Sequence, residues 1–83
     1  MIVLPSLLAS EAGGRNRFDL EAATVGAALR ALPIADLLFD EQGQLRRLVN
    51  VYVDGIDARE RGGLDAPLRG DETVRVVAAV AGG

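Results

Sequence analysis

The sequence contains no cysteine, no histidine, no lysine and no tryptophan. Without cysteine or histidine there is no thiol nucleophile, no imidazole base and no usual zinc-ligand set, so no metal site is expected. There is also no disulfide framework, and nothing points to an oxidising compartment. All nine basic residues are arginine, and the twelve acidic residues bring the net charge to −3. That balance argues against a nucleic-acid partner, whose phosphate backbone needs cationic protein. Arginine without lysine fits a GC-rich genome; the alternative is selection against amines near a reactive acyl group. Only Phe18, Phe39 and Tyr52 are aromatic although 49% of the chain is apolar, so the core must be built from Val, Leu, Ile and Ala. No apolar run approaches the ~20 residues needed to span a bilayer. The opening "MIVLPSLLAS" has no basic segment ahead of its apolar stretch, so it does not read as a signal peptide. The expectation is a soluble cytoplasmic protein with no membrane partner.

What is present reads as one domain, since 83 residues are too few for two. Met1–Ala9 is apolar and strand-like, with Pro5 removing one ladder donor. "SEAGG" (10–14) is a turn signal. In "RNRFDLEA" (15–22), Phe18 and Leu20 alternate with Arg17 and Asp19, which predicts a second strand in a hairpin with the first. Thr24 is a good N-cap, and Val25, Ala28, Leu29 and Leu32 form one helical stripe that Pro33 stops. "IADLLF" (34–39) allows a further helical turn, with Ile34, Leu37 and Leu38 at the right spacing. "LRRLVNVYVDG" is the clearest strand: Val49, Val51 and Val53 face one way, Asn50 and Tyr52 the other. Asp54-Gly55 is a strong hairpin signal, followed by a possible short strand at Ile56–Arg59. "RGG" (61–63) lacks the lysine and the glycine spacing of a phosphate-binding loop. In "TVRVVAAV", Val74 and Val76 share one face, and Thr73, Arg75 and Val77 the other. The expected architecture is α+β: a mixed sheet with one main helix on its valine face. If the last strand pairs parallel to the first, it is central.

Chemistry-bearing groups are sparse. Asp40-Glu41 and Asp71-Glu72 lie in polar, turn-like stretches and read as solvated loop charges rather than a catalytic pair. No catalytic residue is assigned. The notable segment is "VAAVAGG" (77–83), which runs a predicted central strand into Gly82 and Gly83. A carboxylate is a poor electrophile and must be activated, for example by adenylation, in a channel that receives the chain end. Two glycines let backbone approach backbone there without a Cβ clash. The α-carboxyl of Gly83, ionised at neutral pH, is the one group both chemically competent and sterically open.

The span "RRLVNVYVDGIDARERGGLDAPLRGDETVRVVAAVAGG" (46–83) resembles the C-terminal half of ubiquitin-like sulfur carriers. The matching pieces are "VNVYVDG", "GGLDAPLRGDE" and "AVAGG"; "LPSLLASEAGG" and "TVGAALRAL" extend the likeness over the first half. The family includes the small subunit of molybdopterin synthase and the carrier of a thiocarboxylate-dependent cysteine synthesis route. The resemblance implies a ubiquitin-like β-grasp domain over 1–81 and a flexible Gly-Gly tail at 82–83. It implies that an E1-like enzyme uses ATP to adenylate Gly83, that a sulfur donor converts the acyl-adenylate to a thiocarboxylate, and that a sulfur-accepting biosynthetic enzyme takes the sulfur. The carrier itself binds no cofactor and is not an enzyme. Val80, Ala81 and Gly82 would be read by those partners, and a metalloprotease that trims the tail or releases product belongs to the same scheme. Molybdopterin-linked members often carry aromatic or proline residues before the last "VAGG". Val77, Ala78 and Ala79 here point instead to the cysteine-synthesis type, or to a carrier for another sulfur-containing metabolite. The rival within the same fold is a protein modifier of the ubiquitin kind.

Tyr52 and Val77 fall on the outer sheet face by parity and form a candidate partner surface; the alternative is that Tyr52 packs on its own sheet neighbours. Arg46, Arg47 and Arg75 read as solvated charge in preference to contacts with an acidic partner.

Overall fold

In the computed structural model, which describes residues 1–78, three valines of one strand face two valines of another across the middle of a five-stranded sheet. The strands are β1 (Ile2–Val3), β2 (Arg17–Phe18), β3 (Val49–Val53), β4 (Ile56–Asp57) and β5 (Val74–Ala78), in the spatial order β2-β1-β5-β3-β4. β5 is central: it runs parallel to β1, with Ile2 opposite Val74, and antiparallel to β3, with Val51 opposite Val76. The alternation expected from sequence holds in β5, where Val74 and Val76 are buried and Arg75 and Val77 are exposed. β1 and β2 pair antiparallel, Ile2 opposite Phe18, as the hairpin reading requires.

The first nine residues are not one strand. β1 ends after Val3, and α1 (Ser6–Glu11) follows. Pro5 starts that helix instead of bulging a strand: its missing N–H is one a helix start leaves unpaired anyway. Leu8 and Ala9, adjacent in sequence, are both buried, which one face of a helix allows and strand alternation does not. α2 (Val25–Arg30) begins where Thr24 predicts, its hydroxyl accepting from the Ala27 amide at 3.2 Å. The stripe of Val25, Ala28, Leu29 and Leu32 is buried throughout. Gly26 lies against the loop: a Cβ there would come within 3.1 Å of the Leu64 carbonyl oxygen. α3 (Ala35–Leu38) also forms, but Leu37 points outward and is 42% exposed while Ile34 and Leu38 are buried. Consecutive residues stand about 100° apart around a helix, so the side that buries Leu38 turns its neighbour Leu37 away.

The β3–β4 turn has positive φ at both Asp54 (49°) and Gly55 (83°), as a type I′ turn demands. β4 is shorter than expected. Ala58–Arg61 coils into a 3-10 turn instead of continuing the strand, because the Asp57 carboxylate accepts from the Arg59 amide and caps it. A second such turn, Gly63–Asp65, packs on α2. The core is wholly apolar among the described residues. It joins the inner face of the sheet to α2, α3 and the buried side of α1, so the sheet's other face is left outward.

Candidate functional site

Residues 79–83 lie outside the described residues. The expectations for Val80, Ala81, Gly82 and Gly83, and the domain boundary at 81/82, therefore have no structural description. What the structure does place is the point from which they depart. Ala78, the last residue of β5, sits opposite Val49 at one end of the sheet's central pair. The chain leaves for its tail from the middle of the sheet rather than from an edge.

The two candidate partner residues are brought together. Tyr52 is opposite Arg75 and Val77 is opposite Asn50, so Tyr52 and Val77 are diagonal neighbours on the outer face of β3 and β5. Val77 is 39% exposed and Tyr52 is half-buried, packed into its own sheet as well as facing out. With Asp54, Thr73 and Arg75 they line one shallow depression. On the sheet edge beyond Tyr52, Arg59 donates two side-chain hydrogen bonds to Asp57, at 3.1 and 2.7 Å, in a bidentate pair. Those bonds hold the Asp57 carboxyl below the usual carboxylate range.

The acidic pairs are not merely solvated charge. The Glu72 carboxylate accepts from the amides of Arg69 and Gly70 at 2.9 Å, which pins the loop entering β5 and lowers its pKa. Asp40 accepts from the amides of Gln42 and Gln44 and closes the loop after α3. Both carboxylates bind their own loops, which leaves neither pair arranged for acid–base chemistry. Among the described residues no group of acidic side chains is placed to hold a metal ion, and no helix is long and apolar enough to cross a membrane.

Residues that sequence reasoning missed lie beside the tail's point of departure. Leu37 and Leu48 are both exposed, at 42% and 44%, and with Val49 and Ala78 they floor a groove whose rim carries Arg46, Arg47 and Asp40. The sequence offered little to find it: Leu37 fits a helical core position, and Leu48 continues the apolar run of β3.

Comparison with known proteins adds to this geometry. The ThiS family profile matches residues 4–83. The sulfur carrier protein CysO of Mycobacterium tuberculosis is 33% identical over 89 residues, spanning 99% of this chain and 96% of that protein. The crystal structure of M. tuberculosis CysO superposes with a TM-score of 0.84 at 30% identity, covering 95% of this chain and 97% of the other. A crystal structure of the Amycolatopsis orientalis BexX/CysO complex gives a TM-score of 0.81 at 29% identity, over 99% of this chain and 97% of that one.

Proposed function

Because the chain belongs to the ThiS family of ubiquitin-like β-grasp proteins, we propose that it is a sulfur carrier that works through the carboxylate of Gly83. The single observation that carries this reading is that the family match runs through Gly82 and Gly83, the two residues whose chemistry the sequence singles out. The position of β5 supports it: the strand that leads to the tail lies between β1 and β3 and stays paired with β3 as far as Ala78.

The chemistry follows from the carboxylate. A carboxylate oxygen of Gly83 attacks the α-phosphorus of ATP on an E1-like adenylating enzyme, and pyrophosphate leaves. A sulfur donor at the hydrosulfide level then attacks the acyl carbon, AMP leaves, and the terminus is a thiocarboxylate. On a biosynthetic enzyme the thiocarboxylate sulfur attacks an electrophilic carbon of the acceptor, whose leaving group departs. Hydrolysis of the carrier's acyl bond then releases the sulfur-bearing product and returns the carboxylate. Beyond the Gly83 carboxylate the carrier contributes no acid, base or nucleophile to this cycle, consistent with the loop roles of Asp40 and Glu72. It is therefore a co-substrate and not an enzyme. The likeness to proteins named sulfur carrier CysO favours the cysteine-synthesis type over a molybdopterin synthase subunit. The related carrier crystallised in complex with BexX supports a handover to a protein partner. Tyr52 and Val77, adjacent on the outer face, belong to the surface such partners use. A metalloprotease that trims the tail or frees the product fits the same cycle, and the cytoplasm is where these steps would run.

The test is ATP–pyrophosphate exchange with the adenylating enzyme of the same genome, followed by intact-mass measurement of the carrier with a sulfide source. The expected product is heavier by the exchange of one oxygen for sulfur. Deletion of Gly83 should abolish exchange and leave the melting temperature unchanged. Exchange at the wild-type rate by the deletion variant would overturn the reading, and a ladder of protein conjugates in cells would favour a modifier instead.

A further inference from the structure

The groove at the end of β5 has a specific relation to the tail. Five residues, 79–83, carry the chain from Ala78 through Gly83. Fully extended, they reach at most about 18 Å. Any enzyme that brings Gly83 to a reacting centre must therefore lie against the folded surface around Ala78. Five small residues cannot by themselves supply the ~800 Å² per partner of a standard protein interface. The remaining contact has to come from the surface beside the exit.

That surface is chemically defined. Leu37 and Leu48 leave apolar side chains in water next to Ala78. Arg46 and Arg47 stand on the rim. Arg46 is tied to α3, its guanidinium donating to the Asp36 carbonyl at 3.2 Å. Among the described residues Arg47 has no hydrogen-bond or ion-pair partner. Asp40, the one acid on the rim, has an oxygen engaged by the Gln42 and Gln44 amides. The protein as a whole is acidic, at −3, so a locally basic rim around an apolar floor marks this spot off from the surrounding surface.

We propose that the groove formed by Leu37, Leu48 and Ala78, with Arg46 and Arg47 on its rim, is the docking site for the adenylating enzyme. The enzyme presents there an apolar side chain flanked by carboxylates. This deepens the carrier reading and rests on it. The apolar contact is made where water is excluded, and the two arginines set orientation and approach of the enzyme's acidic segment. The groove thus holds the enzyme within reach of the tail.

The experiment uses the full-length carrier and the adenylating enzyme, measuring exchange rate against carrier concentration. Arg47→Glu and Leu48→Ser alter exposed side chains, so folding is checked by an unchanged melting temperature. The two together should raise KM by on the order of tenfold or more with kcat little changed. Arg47→Lys should retain most of the wild-type KM. Wild-type KM should rise with salt, and that dependence should shrink in Arg47→Glu. Ile56→Ser and Arg61→Glu, at the far end of β3 and beyond β4, should leave KM unaltered. An active wild type whose Arg47→Glu/Leu48→Ser variant keeps its KM, or whose Ile56 and Arg61 controls lose as much, overturns the groove alone. A wild-type carrier that neither binds the enzyme nor supports exchange overturns the carrier reading and the groove with it.

Discussion

Asp54 and Thr73 hold each other by two reciprocal hydrogen bonds: the Asp54 amide donates to the Thr73 carbonyl at 2.9 Å, and the Thr73 amide donates to the Asp54 carboxylate at 2.9 Å. One residue sits in the β3–β4 turn and the other just before β5, nineteen positions apart. The pair closes the β3–β5 ladder at one end, so the register that delivers Ala78 to the other end starts here.

Asp54→Ala should therefore destabilise the fold by about 1–2 kcal/mol, losing the acceptor of the Thr73 amide and placing an unsuited residue at positive φ. Asp54→Gly keeps the backbone freedom and loses only the acceptor, and Asp54→Asn keeps both. Urea unfolding should rank the losses Ala, then Gly, then Asn, largest first. Equal losses in all three would show that neither the acceptor nor the φ matters.

Val51 is 3% exposed and lies opposite Val76, itself 1% exposed, at the middle of the β3–β5 pair. Val51→Asp would bury a charge with no partner in an all-apolar core and should cost about 3–5 kcal/mol. A folded variant with the wild-type melting temperature would mean that β3 presents its other face to the helices.

Glu72 ties folding to pH. Amide hydrogen bonds from Arg69 and Gly70 lower its folded pKa beneath the ordinary 4.5. The stabilisation is then complete above that ordinary value and lost as pH falls through the lower folded one. Asp57 adds in the same direction, through the Arg59 side chain. Thermal melts should show stability declining below about pH 4.5, and Glu72→Gln, which accepts but does not titrate, should flatten that acid limb. Superimposable acid limbs for the two proteins would remove Glu72 as a source.

Gly82→Val tests the tail without touching the described fold. A β-branched side chain resists entry to a channel shaped for bare backbone, so kcat/KM for pyrophosphate exchange should fall by on the order of tenfold or more. The melting temperature should not move. Undiminished exchange would mean the enzyme does not enclose Gly82.

Local signals in the sequence were enough for the parts of the fold whose residues carry their own periodicity or turn chemistry. Val49–Val53 and Val74–Ala78 alternate, Thr24 caps α2, and Asp54-Gly55 turns β3 into β4. The glycine pair was legible for a related reason: the chemistry proposed for it depends on the covalent chain and not on folded neighbours. The centrality of β5 was also within reach, since a parallel β1–β5 pair leaves it a strand on either side.

Other features depended on competition that a linear pattern does not encode. Whether Pro5 bulged a strand or opened a helix was decided by Leu8 and Ala9 finding core positions behind β1. The strand after Gly55 stopped at Asp57 because its carboxylate capped a 3-10 turn, a gain the β-propensity of the segment does not register. Leu37 was left in solvent, although its spacing suits the core, because the side of α3 that packs inward is the one that carries Leu38, about 100° around the helix. The basic groove at the exit of β5 joins residues of α3, the segment before β3 and the last residue of β5, more than forty positions apart, so only the folded sheet brings them together. The sequence alone determined the glycine pair and the strands that lead to it; tertiary packing alone determined the surface beside Ala78, because burial is shared among all the elements that compete for one small core.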